Sequence, residues 1–300
     1  MIGSSARSQI EDLIESMHRM SIGNTPFVQV EEGIFAKIEW KNRFGSIKDR
    51  PAFYMIYSLR EAGDLDNRII IEASSGNTGL AISGIARMLG LKSVIVLPEN
   101  ASSATKQLIL SNGSELIETP AKTGTEGSIK VVNEMVSAGN YVWLNQHSNT
   151  KNSDAHYYTT AREMAEAEGK PAAIIAGIGT GGTITGIARY FKEMDPGIRI
   201  IGVQPSPGSH IHGLRNAFSS KYRGIIDRYG DLIDEIVYVN EDQAKAEIKR
   251  YYERTGDLIG ISSGANLFAA RTMKERYGKI FTVFPDSGEK YRDELDFLKQ

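Results

Sequence analysis

The chain has no cysteine among its 300 residues. That one absence excludes disulfides, thiolate metal sites, iron–sulfur clusters and a cysteine nucleophile together. Histidine is scarce, at five residues: His18, His147, His156, His210 and His212. The one close pair, His210 and His212, lacks the helix spacing of a zinc site and has no acidic neighbour, so no metal is expected. Neither sign of charge is in excess: 35 basic residues against 37 acidic ones give a net charge of −2. A nucleic-acid binder or a protein drawn to an anionic membrane surface would carry a basic surplus. No apolar run approaches the length of a membrane span. Residues 1–20, "MIGSSARSQIEDLIESMHRM", pattern as an amphipathic helix of mixed charge rather than a signal peptide, so a cytoplasmic location is expected.

What is present is an alternation. Hydrophobic residues make up 41% of the chain, ample for a large core in one or two domains. Candidate strands are "IFAKIEW", "RIIIEA", "KSVIVLP", "SELIETP", "YVWLN", "AAIIAGIG", "RIIGVQP" and "IFTVFP". Helical patterns such as "TGLAISGIARMLG", "EGSIKVVNEMVSAG" and "DAHYYTTAREMAEAEG" lie between them. This order predicts an α/β fold with mainly parallel sheets covered on both faces. A break near residue 150, at "HSNTKNSD", is the best domain crossing. Ligands in such sheets sit at the carboxyl ends of strands, which directs attention to the strand-to-helix turns.

Four turns have unusual chemistry. In "EASSGNTGLA" (72–81) a strand is expected to end at Ala73 and a helix to begin near Thr78. Ser74, Ser75, Asn77 and Thr78, flanked by glycines, exceed what an ordinary N-cap needs and suit a carboxylate. In "AGIGTGGTITG" (176–186) a buried strand runs into glycines and threonines ahead of a helix, a phosphate cup. The spacing Gly177-x-Gly179-x-x-Gly182 also matches a dinucleotide fingerprint. That reading needs an acid at the end of the next strand, and "RIIGVQP" ends on Gln204 instead, so a phosphate without a ribose fits better. "GISSGANLFAA" (260–270) places Ser262 and Ser263 ahead of another helix start, and "SHIHGLRNAF" (209–218) carries Arg215 among neutral residues. A fifth feature is Lys48 in "KNRFGSIKDR" (41–50), in the expected first turn of a helix, where a cation faces the positive end of the dipole. A lysine so placed, together with a phosphate cup, suggests pyridoxal phosphate, which needs both.

In order, "IGNTP" (22–26), "GSIKDR" (45–50), "SSGNTG" (74–79), "GIGTGGTITG" (177–186), "GISSG" (260–264) and "PDSGEKY" (285–291) resemble the cysteine synthase and cystathionine β-synthase group of fold-type II pyridoxal-phosphate enzymes. The resemblance spans nearly the whole chain. It implies the tryptophan synthase β-like fold: two three-layer α/β domains, 42–150 and 1–41 plus 151–300, with the cofactor between them, commonly in a homodimer. It implies that Lys48 carries pyridoxal 5′-phosphate as a Schiff base and acts as the catalytic base. Asn77 would bond the cofactor's 3′-oxygen, Gly179, Thr180, Gly181, Gly182 and Thr183 its phosphate, and Ser262 would face its pyridine nitrogen. Ser74, Ser75, Asn77 and Thr78, assisted by Gln146, would bind the substrate carboxylate. The implied reaction is β-replacement through an aminoacrylate, with a small-molecule serine derivative as donor and sulfide or a thiol as nucleophile.

The chain departs from the family's usual pattern at several places. Arg43 stands where Asn-Pro-x-Gly-Ser is common, Ala73 and Ser74 replace a usual Pro-Thr, and no cysteine–histidine haem segment or regulatory module is seen. The last feature favours a simple synthase, and the first two bear on loop geometry only. The informative departure is Arg215. "HGLRNAF" looks like the arginine-bearing loop of O-phosphoserine sulfhydrylases, where acetylserine enzymes have a short neutral stretch. A leaving phosphate carries nearly two charges and accepts bidentate guanidinium contacts, whereas an acetyl group offers none. The expected donor is therefore O-phosphoserine. O-acetylserine sulfhydrylase, cystathionine β-synthase with homocysteine, and a diaminopropionate-forming relative are the alternatives. Threonine dehydratase matches the motifs less well. A nicotinamide oxidoreductase would account only for 177–186, and a non-catalytic interaction protein for none of the turns.

Overall fold

The computed structural model describes residues 4–74, 76–219 and 223–298. Two compact units divide the chain, Met1–Ile47 with Ser153–Gln300, and Lys48–Asn152. The strands are β1 (Phe27–Glu31), β2 (Ile34–Ile38), β3 (Ile69–Ala73), β4 (Ser93–Pro98), β5 (Glu115–Thr119), β6 (Tyr141–Trp143), β7 (Ala173–Gly177), β8 (Arg199–Pro205), β9 (Glu235–Val239) and β10 (Ile280–Phe284). The helices are α1 (Ser4–Arg19), α2 (Asp49–Glu61), α3 (Asn77–Met88), α4 (Ser103–Ser111), α5 (Gly124–Ser137), α6 (Lys151–Ala155), α7 (Ala161–Glu168), α8 (Gly182–Met194), α9 (Ile225–Tyr229), α10 (Glu241–Thr255) and α11 (Ile261–Tyr277).

The smaller unit is built on a four-stranded sheet of order β5-β4-β3-β6, parallel throughout. Side chains alternate across a strand, so each β-run feeds two faces. Ile71, Ala73, Val94 and Val96 pack with Val132 of α5 on one face. On the other, Gly79 brings α3 so near the sheet that an added Cβ would lie 2.9 Å from Ile95 Cγ2.

The larger unit has a six-stranded sheet of order β1-β2-β10-β7-β8-β9, in which only β1 and β2 pair antiparallel. Ala173, Ile175, Ile201 and Val203 join Ile248 of α10 and Ala265 of α11 on one face. Ile174, Ile200, Phe281 and Val283 join Met164 of α7 and Ile187 and Phe191 of α8 on the other. Helical crossovers between parallel strands cover both faces of each sheet, which is why the inner strands read as unbroken apolar runs.

The chain leaves the larger unit after Ile47, not after Lys41. The Ile47 N–H donates to Pro285 O at 2.8 Å, and Ser46 forms a β-bridge with Asp286. These contacts hold residues 42–47 to the end of β10. The second crossing follows Asn152, within the stretch "HSNTKNSD".

Candidate active site

In the smaller unit Lys48 is the half-buried N-cap residue of α2, one position ahead of the first turn in which it was expected, with helical backbone angles (φ −71°, ψ −16°) and no capping bond from its side chain. Its carbonyl accepts from Ala52 N–H at 3.0 Å, so the backbone is committed to the helix. Gly45, three residues earlier, has φ +80°, a left-handed turn that suits glycine.

The 74–79 turn is ordered by its own hydroxyls. Ser74 Oγ accepts from Gly79 N–H at 3.0 Å and from Gly76 N–H at 3.4 Å. Its own proton is used in no hydrogen bond among the described residues. Asn77 is the first residue of α3, and the N-cap, Gly76, has no side chain to satisfy the helix's first N–H groups. Thr78 donates its hydroxyl to Gln146 Oε1 at 2.7 Å, while Gln146 Nε2 reaches Ala73 O at 3.5 Å. The structure thus brings Ser74, Asn77, Thr78 and Gln146 to the carboxyl end of β3. Ser75 lies outside the described residues.

Beneath this turn lies a group the motif reading missed. Glu72, in β3, is 1% exposed. It accepts from Ala73 N–H at 3.0 Å, from the Trp143 indole at 3.1 Å and from Gln146 N–H at 3.3 Å. Burial pushes its carboxyl up to about 7, against the downward pull of these hydrogen bonds and one from the Asn145 backbone. The signal was available: a lone acid in an otherwise apolar strand, next to the small-residue turn.

In the larger unit the glycine-rich loop runs from Gly177, the last residue of β7, to Gly182, the first of α8. Gly181 is the N-cap, at φ +92°, with no side-chain cap. Gly182 N–H donates to Thr180 Oγ1 at 3.2 Å. Thr183 Oγ1 lies 3.3 Å from His156 Nε2, and His156 Nδ1 lies 2.9 Å from Thr160 Oγ1. His156 is wholly buried on a π-helical turn (His156–Thr160), a feature the helical pattern did not disclose.

Arg215 belongs to this loop's surroundings. Its N–H donates to Ile178 O at 2.9 Å, its Nε to Gly179 O at 2.6 Å and its Nη2 to Arg223 O at 3.5 Å. Gly179 permits the approach: a Cβ there would stand 2.3 Å from Gly213 O. Ser262 and Ser263 lie inside the first turn of α11, whose N-cap is Gly260, so neither is the cap residue expected. The reason is Gly260 N–H, which donates to Asp286 O at 3.0 Å and starts the helix two residues early. Ser262 is 6% exposed, and its hydroxyl has no partner among the described residues.

The family model for pyridoxal-phosphate dependent enzymes matches residues 18–286. A cysteine synthase of Aquifex aeolicus (strain VF5) is 38% identical over 291 residues, covering 90% of this chain and 88% of that protein. The chain belongs to the pyridoxal-phosphate-dependent cysteine synthase family. Among solved structures, cysteine synthase from Entamoeba histolytica superposes with a TM-score of 0.84 at 32% identity, covering 93% of this chain and 89% of that one. An O-acetylserine dependent cystathionine β-synthase from Helicobacter pylori gives 0.82 at 31%, covering 91% and 95%. Like its family, this cysteine synthase homologue uses pyridoxal phosphate and performs β-replacement. The residues fit that cofactor. The N-terminus of α8 has hydroxyl and glycine N–H donors and no side-chain cap, the chemistry a phosphate wants. Among the described residues no helix is long and apolar enough to cross a membrane, and no cluster of His, Asp and Glu could hold a metal ion.

Proposed function

We propose that this cysteine synthase homologue makes L-cysteine from O-phosphoserine and sulfide. Arg215 carries the donor assignment. Its half-buried guanidinium is fixed on Gly179 O, at the glycine-rich loop. A positive charge held by backbone contacts favours an anionic leaving group and gains nothing from an acetyl ester. O-acetylserine is the second reading. The same contacts give Arg215 a structural task on the loop, and the Entamoeba and Helicobacter proteins are both named for acetylserine chemistry.

In this reading the first-turn N–H groups of α8 and the hydroxyls of Thr180 and Thr183, with Gly179, Gly181 and Gly182, hold the cofactor's phosphate. Asn77 would meet its 3′-oxygen and Ser262 its pyridine nitrogen. Bound through Lys48, pyridoxal phosphate supplies the electron sink that makes the donor's Cα–H acidic. With the cofactor bound, Lys48 Nζ would be the base that takes the donor's Cα proton and returns it after the nucleophile has added. Ser74 would offer its hydroxyl proton to the donor carboxylate, alongside Ser75, Asn77, Thr78 and Gln146. The Ser262 hydroxyl is neutral and does not hold a proton on the ring as an aspartate would, which favours prompt loss of the β-substituent.

Absorbance titration of the purified enzyme with each donor is the test. O-phosphoserine should produce the spectral change at much lower concentration than O-acetylserine. Arg215→Ala should remove a roughly ten- to hundredfold preference, the worth of a charge-assisted contact. Equal loss on both donors, or a wild-type preference for acetylserine, assigns the donor to the second reading.

A further inference from the structure

Glu72 has no place in the chemistry above, yet it lies beneath the turn on which that chemistry depends. A buried carboxylate must be answered by a cation or by hydrogen bonds. Here four N–H groups answer it: Ala73, the Trp143 indole, Gln146 and Asn145. Asn145 and Gln146 are consecutive, and Asn145 stands in the left-handed region at φ +50°. A left-handed residue turns successive N–H groups toward one point, the geometry of an anion-binding nest. The nest's anion is part of the chain itself.

We infer that Glu72 is a positioning residue for β-replacement: its carboxylate is the anion around which the turn at Asn145 and Gln146 folds, and through Gln146 it sets the Thr78 hydroxyl for the donor's carboxylate. This rests on the proposed role of Thr78 and Gln146. The carboxylate's two oxygens divide the work. Oε1 takes Ala73 and Trp143, and Oε2 takes Gln146. Protonation would put an O–H donor among four N–H donors, and the nest would lose an acceptor.

The sign of the pH dependence follows. Burial raises the Glu72 carboxyl to about 7. Fold stability from this group is therefore fully present below the ordinary carboxyl range and is lost as pH rises through about 7. Donor affinity should move the opposite way, weakening as pH falls below that point, because the charged form shapes the nest. One further titratable group lies in the turn itself, the half-buried His147 that follows Gln146, so the acidic limb is assigned to Glu72 only through its loss in Glu72→Gln. β4 and β6, paired with β3, contain no acidic or basic residue apart from the Tyr141 phenol, and on α5 Glu126, Lys130 and Glu134 are exposed.

The experiment uses the holoenzyme with O-phosphoserine and O-acetylserine in turn, measuring kcat and KM from pH 5.5 to 8.5, cofactor content and melting temperature. Glu72→Gln should keep its cofactor, raise donor KM about tenfold, as loss of a charge-assisted bond implies, change kcat less, and lose the acidic limb near neutrality. A wild-type KM with the limb intact overturns the inference. Should Glu72→Gln fail to fold, Trp143→Phe carries the test. Removing the indole donor, which holds the carboxyl down, should move the limb to higher pH, and an unmoved limb overturns the inference. Thr78→Val separates the two readings. If it raises KM while Glu72→Gln does not, only the positioning role fails; if neither does, the carboxylate turn itself is misassigned.

Discussion

Replacing Lys48 with alanine removes both a tether and a base. The base alone is worth about 10²–10⁴ in rate, so turnover should fall at least that far while the fold persists, since α2 is held by the buried side chains that follow Lys48. Borohydride treatment and peptide mapping check it: the cofactor should be fixed to the Lys48 peptide in the wild type and to no peptide in the variant. At this scale the strand-to-helix turns that carry the candidate residues were readable, because small residues and glycines cluster there. Their partners were not. Spacing does not say that the Thr78 proton goes to Gln146, that Arg215 Nε rests on Gly179 O, or that Glu72 rather than a surface acid sits below them. Those facts arise from residues brought together across long stretches of chain.

Among elements, all eight strands expected from apolar runs are present, and β1 and β9 were missed. Both are sheet edges, and their sequences, "FVQVE" and "EIVYV", are largely exposed or half-buried. Edge position permits such a weak pattern without imposing it: β5 and β6 are also edges, and their apolar residues were enough to mark them. The π-helical turn was invisible for another reason: a single wider turn leaves hydrophobic spacing almost unchanged. It makes a sharp prediction nonetheless. Gly186 of α8 lies against it, and an added Cβ would stand 2.3 Å from Ser153 O and 2.7 Å from His156 Cβ. Gly186→Ala should destabilise by about 1–3 kcal/mol through overpacking. By shifting His156 against Thr183 it should also weaken cofactor retention. Thermal unfolding with and without added cofactor measures both effects.

For the whole molecule, the α/β class and mainly parallel sheets followed from alternation along the sequence, whereas the exact place of the first crossing did not, because nothing in 42–47 announces a bond to Pro285. The inserted arrangement has kinetic consequences. The widest pairing step in the smaller sheet joins Ile69 to Tyr141, 141 − 69 = 72 residues, while the larger sheet joins Ile34 to Ile280, 280 − 34 = 246 residues. Closing the longer loop costs about 1 kcal/mol more, and prior folding of the smaller unit shortens it. Pulse-labelled hydrogen exchange during refolding should therefore protect β3, β4 and β6 before β2 and β10, and simultaneous protection would contradict this order.

The position of β10 extends the point to genetics. This strand is a late segment of the message, yet it lies inside its sheet, between β2 and β7. A nonsense codon shortly before Ile280 would spare every candidate site residue and still split the sheet into two fragments with exposed edges. Such an allele should behave as a null, its product cleared or aggregated, and late truncation would be no milder than early truncation.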